Sequence, residues 1–151
     1  MGMYTELNIG VNLSQTTPTE VIETIQRMLC SDDAYKPSIE HPLFKTERYH
    51  WMLNMDSYYF DGFTNSAIRQ DHVSKEWQLD IRCNLKNYSH EIELFLDFIA
   101  PYITTSGFLG YMRYEADELP TLIFRDCNKI IFTKPEALSE QTLADVLGKN
   151  K

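Results

Sequence analysis

Residues 76–86, EWQLDIRCNLK, alternate without interruption. Trp77, Leu79, Ile81, Cys83 and Leu85 point one way, and Gln78, Asp80, Arg82 and Asn84 the other. That is the period-2 pattern of a strand with one face buried and one wet. Residues 6–13, ELNIGVNL, repeat it, with Leu7, Ile9, Val11 and Leu13 against Glu6, Asn8, Gly10 and Asn12. Two half-apolar strands call for an antiparallel sheet whose apolar side is covered by helices.

Those helices are legible on either side. In TPTE, Thr17 is placed to cap a helix over 18–29, with Pro18 at its first position and Glu20 three residues after the cap. Val21, Ile22, Ile25, Met28 and Leu29 form its apolar stripe. NYSH offers Asn87 or Ser89 as cap for a second helix over 90–99, striped by Ile92, Phe95, Leu96 and Ile99 and ended by Pro101. A short strand is expected at 57–63, and three more in FLGYMRYE (108–115), TLIFRD (121–126) and KIIFT (129–133). DCNK between the last two reads as a tight hairpin with Asn128 at positive φ. A final short helix has Ser139 as cap, Leu138 and Leu143 as a staple, and Gly148 as stop.

The order β-α-β-β-α-β-β-β-α gives the expectation of an α+β, ferredoxin-like (split βαβ) fold. It is a mostly antiparallel sheet with two helices on one face, extra C-terminal strands and a short terminal helix. A chain of 151 residues reads as a single domain, 1–151, with 31–75 an irregular aromatic-rich insertion within it. Such a fold hosts many functions and licenses none by itself.

Composition excludes several classes. The formal charge of −8, with no cluster of Lys and Arg, speaks against a nucleic-acid partner. No apolar run reaches the ~20 residues of a membrane span, and the N-terminus lacks the order of a signal peptide. Met1-Gly2 is set aside, with Met3 as the expected native start. Cys30, Cys83 and Cys127 are scattered and odd in number, so a cytoplasmic location is expected, with Cys83 a small buried apolar residue. Phosphate-loop, dinucleotide, nucleophile-elbow and zincin motifs do not occur. His50, Asp56, Asp61, Asp71 and His72 match no metal-ligand spacing, so neither metal nor cofactor is expected. The carboxylate pairs Asp32-Asp33, Glu91/Glu93 and Asp117-Glu118 each fit a helix end or a turn.

One stretch resists this bland reading: ERYHWMLNMDSYYFDGF, residues 47–63. It is too rich in rings for disorder and lies in a connection too long for a plain loop. Trp51, Leu53 and Met55 suit a hairpin, whereas Phe44, Tyr49, Met52 and Met55 suit a short helix. Phe44, Trp51 and Phe60 are expected to pack inward, and Tyr49, Tyr58 and Tyr59 to stay partly exposed. The candidate binding residues are therefore Arg48, Tyr49, Trp51, Tyr58, Tyr59 and Asp61. A second candidate surface is the polar sheet face at Glu6, Asn8, Asp80 and Arg82, where Glu6 or Asn8 can meet Arg82 across a strand pair. The functional expectation is a non-enzymatic protein that binds another protein. By analogy of size, charge and architecture it compares with immunity-type proteins and phage-encoded inhibitors. The alternative is a small-molecule binding protein, or an enzyme using 44–63 as pocket wall.

Overall fold

The sheet is built outward from β1 (Thr5–Leu13), which pairs antiparallel with β3 (Trp77–Leu85) on one side and β4 (Gly107–Tyr114) on the other. The computed structural model of the chain describes residues 3–136 and 140–148. β2 (Ala67–Gln70), β5 (Thr121–Asp126) and β6 (Lys129–Thr133) complete a six-stranded antiparallel sheet of order β2-β3-β1-β4-β5-β6. Three α-helices accompany it among the described residues: α1 (Thr19–Leu29), α2 (Glu91–Ile99) and α3 (Leu143–Val146).

Register explains the core. Leu7 faces Cys83, Ile9 faces Ile81 and Val11 faces Leu79, so both alternating strands turn their apolar side the same way. That side joins Val21, Ile22, Ile25 and Met28 of α1 and Ile92, Phe95, Leu96 and Ile99 of α2 in one buried cluster. Phe95 and Leu7 are fully enclosed, the situation in which apolar burial gives about 25 cal/mol per Å². Gly110 sits beside a bulge in β4, at φ 151, where a Cβ would run into the Asn8 carbonyl; the strand approaches β1 this closely because glycine stands there.

The element ends depart from expectation in instructive ways. Thr17 does not cap α1: its hydroxyl donates to the Ser14 carbonyl at 2.6 Å, and Pro18 occupies the cap position without a side-chain bond. The helix ends on Ser31 at φ 53, with Ser31 N bonded to Met28 O and Asp32 N to Arg27 O, a Schellman closure made without glycine. His90, also left-handed, precedes α2, and Asn87 Oδ1 reaches over it to accept from Ile92 N at 2.8 Å. In the β5–β6 hairpin the positive φ falls on Cys127, not Asn128. Residues 57–63 form no strand; β2 is the later segment Ala67–Gln70. For α3 the cap is Thr142, in a reciprocal box with Asp145, and Gly148 at φ 72 ends it. Ser139 and Leu138 lie outside the described residues.

Candidate functional site

The aromatic segment divides at Met55, and its halves go to opposite faces of the sheet. The first half joins the helix-side core. Pro42–Lys45 and Met52–Asn54 are single 3₁₀ turns, and Leu43, Tyr49, Met52 and Leu53 are buried. Phe44 packs edge-on against Tyr49 at 5.3 Å and Phe98 at 5.2 Å. His41 Nδ1 accepts from Leu43 N, which leaves the proton on Nε2 to donate to Asp97 Oδ2 at 2.8 Å.

Arg48 and Tyr49 therefore lie in structural surroundings. Glu91 is fully buried at the start of α2; Oε1 accepts from Ser89 N at 2.9 Å, and Oε2 faces Arg48 Nη1 at 3.5 Å. The Arg48 guanidinium also covers the Tyr88 ring at 5.2 Å. A buried carboxylate needs such a partner, so Arg48 fastens the segment to α2. Tyr49 is 7% exposed, and burial raises the pKa of its hydroxyl. Trp51, expected inside, is 41% exposed. The expectation inverted these two: Tyr49 sits in the turn ahead of the Met52–Asn54 3₁₀ turn and is buried with Met52 and Leu53, whereas Trp51, between them, faces outward.

The second half crosses to the wet face. Asn84 N donates to Met55 O at 3.1 Å, and Asn65 N donates to Arg82 O at 2.9 Å. The chain thus leaves the edge of β3 after Met55 and returns at Asn65. Between them it is tied to side chains of the polar face. Ser57 Oγ donates to Asn84 Oδ1 at 2.6 Å, Asn84 Nδ2 to Asp56 Oδ1 at 3.2 Å, and Arg82 Nη2 to Asp61 O at 3.0 Å. Phe60 is buried beneath the Arg113 guanidinium, 5.1 Å from its ring, and Arg113 Nε faces Glu6 Oε1 at 3.7 Å. Gly62 has φ 94, and a side chain there would strike Arg82.

These anchors leave rings standing outward. Tyr58 is 88% and Phe63 89% exposed. Tyr59 stacks on Tyr58 with centroids 4.5 Å apart and leans on Tyr4 at 5.6 Å, over which Lys86 Nζ lies at 5.9 Å. Tyr58 Oη donates to Tyr59 Oη at 3.4 Å. The bond between the two hydroxyls, then partial desolvation and the neighbouring Tyr58, Glu115 and Tyr4 groups, raise the Tyr59 pKa to about 12. Tyr59 therefore keeps its proton at neutral pH.

No protein-family model matches this chain, and neither a curated protein nor a solved structure does. The site is read from its own chemistry. Among the described residues no three His, Cys, Asp or Glu side chains converge on a point that could hold a metal ion, and no helix is long and apolar enough to cross a membrane.

The second candidate surface is half covered. Glu6 is buried and paired with Arg113, and Arg82 is turned to Asp61 O; the cross-strand partner of Arg82 is Asn8, whose Nδ2 donates instead to Tyr111 Oη at 3.4 Å. Asp80 stays exposed at the open end, beside Gly10. There a trough of about 460 Å³ is lined by Asn12, Gln78, Asp80 and Arg69, with Arg69 Nε donating to Gln78 Oε1 at 2.7 Å. Sequence reasoning placed Asn84 on the polar sheet face with Arg82, but missed Arg113, Tyr4 and Phe63 as site residues; Arg113 and Tyr4 enter through long-range register, which carries no local signal.

Proposed function

We propose that this protein acts by binding another protein, and that the rings at Tyr58, Tyr59 and Phe63 are the centre of the contact surface. The carrying observation is that Tyr58 and Phe63 are almost fully exposed on a loop fastened from below by Asn84 and Arg82. Aromatic side chains held outward on an ordered support lose little freedom when they are covered, which is the property of interface hot spots. Asp61, exposed between them, adds a charged rim. The net charge of −8 favours a partner with a basic surface, and an immunity-type or inhibitory role fits that pairing. Three free cysteines, two of them exposed, support a cytoplasmic setting. The strand order, in which α1 and α2 each bridge strands separated by one neighbour, supports the ferredoxin-like reading of the first four strands.

The space beneath the loop, between Phe60, Gly62 and Arg82, is about 10 Å³, too small to favour the segment as a pocket wall. A small-molecule reading draws support instead from the trough above Asp80 and Arg69. The test is affinity capture with wild type and a Tyr58→Ala/Phe63→Ala variant of matched thermal stability. Loss of a specific captured protein by about tenfold or more is expected, roughly one hot-spot residue's worth. Capture unchanged by the variant, or no specific capture by wild type, refutes the reading.

A further inference from the structure

The trough at the open end of the polar sheet face holds charged groups of both signs, and neither is neutralised. Register sets its walls. Arg69 stands opposite Gln78, Gln78 opposite Asn12, and Asp80 opposite Gly10. Alternation turns these side chains away from α1 and α2, and together they line the space of about 460 Å³. Gly10 supplies the floor. A Cβ there would come within 3.2 Å of Asp80 Oδ1, so the carboxylate leans over β1 into room that a side chain would take.

The bond from Arg69 Nε to Gln78 Oε1, at 2.7 Å, fixes the plane of the guanidinium. Among the described residues, neither Arg69 Nη atom, nor the Asp80 carboxylate, nor the Asn12 side-chain amide takes a hydrogen bond or an ion pair. The backbone of Asn12 is held separately, with its N–H donating to Thr105 Oγ1 and its carbonyl accepting from Thr104 N, both at 2.8 Å. Diagonal positions on neighbouring strands lie about 7–8 Å apart, near enough for two long side chains to meet. Arg69 is drawn to Gln78 instead, and Asp80 towards Gly10. A cation and an anion therefore stand side by side, unpaired, over one floor.

That pairing selects a ligand. A guanidinium fork takes a carboxylate through two parallel bonds. A carboxylate takes an ammonium, and the amides of Asn12 and Gln78 can serve further polar atoms. A simple anion would meet Asp80 as well as Arg69, and a simple cation the reverse, so each is repelled by one of the two. A molecule with both charges on neighbouring atoms satisfies both. We infer that the trough binds a free α-amino acid, with its carboxylate on Arg69 and its ammonium on Asp80. The inference rests on the small-molecule reading of the trough and names its ligand class; the ring surface has no part in it.

Two-dimensional amide NMR of the full chain tests this, with L-alanine, L-leucine, L-glutamine, L-glutamate and L-lysine as probes. The Gly10, Gln78 and Asp80 amides are expected to shift and saturate with at least one of them. Groups this exposed hold a ligand modestly, so the expected dissociation constant is about a millimolar or tighter. Acetate, with the carboxylate alone, and methylammonium, with the ammonium alone, are expected to bind at least about tenfold more weakly. Arg69→Gln and Asp80→Asn each remove one charge from an exposed position, and each is expected to weaken the amino acid by a similar factor. An otherwise unchanged spectrum shows that they fold. Gly10→Val fills the floor and is expected to abolish binding. Tyr58→Ala/Phe63→Ala is expected to bind the amino acid as wild type does, and Arg69→Gln to capture a partner protein as wild type does, so the two proposals fail separately. No saturable shift with any of the five probes, or equal binding of acetate or methylammonium, overturns the inference. Binding undiminished in either charge variant, or partner capture lost in Arg69→Gln, overturns it equally.

Discussion

Ser57 Oγ donates to Asn84 Oδ1 at 2.6 Å, joining the aromatic loop to the buried end of β3 across 27 residues of sequence. Asn84 Nδ2 makes the companion bond to Asp56 Oδ1, so one amide holds the loop by both its polar atoms. Asn84→Ala removes both bonds while leaving every exposed ring in the sequence. The expected cost is about 1–3 kcal/mol, because Asp56 and Ser57 lose a partly buried partner. Partner capture is expected to fall with it, since the rings lose their support. Urea denaturation alongside capture checks this; retained capture at reduced stability would place the contact surface elsewhere.

Arg48 is expected to matter to folding before binding. Arg48→Ala leaves the fully buried Glu91 carboxylate without its cation, and breaking such a pair costs about 3 kcal/mol. Arg48→Ala/Glu91→Gln is expected to recover part of that loss, because no charge is then buried alone. A double-mutant cycle by chemical denaturation measures the coupling; purely additive effects would show that the pair is not coupled.

Cys83 makes stability sensitive to alkali. Burial, with a smaller contribution from Glu6, raises its pKa from 9.0 to about 12. The folded state therefore holds the proton that the unfolded state gives up. The resulting stability is complete below pH 9 and is lost as pH rises from there to about 12. Thermal midpoints across that window are expected to fall less steeply in Cys83→Ala, even from a lower starting point. Alkylation of native protein at neutral pH is expected to label the exposed Cys30 and Cys127 and spare Cys83.

The long strands and both main helices were legible because each is a sustained pattern. β1 and β3 alternate over nine residues each, and the stripes of α1 and α2 repeat at helical spacing. β2 was not legible: in Ala67–Gln70 only Ile68 is half-buried and the others are exposed, so an edge strand this short has no apolar face to announce it. Tyr58 and Tyr59, read as strand residues from their type, lie instead on a loop placed by Asn84 and Arg82. The caps at Asn87 and Thr142 show the same limit. Local chemistry names residues able to cap, whereas the left-handed turn at His90 decides which one reaches.

The most direct test of the proposed contact surface is site-specific photocrosslinking in cells of the native host. A benzophenone side chain would replace Tyr58 in one variant and Val73 in another. Both positions are highly exposed, at 88% and 91%, but Val73 lies in the turn between β2 and β3, away from the aromatic loop. A discrete crosslinked protein from position 58 and none from position 73 is the expected result. The same adduct from both positions, or one from position 73 alone, would contradict it.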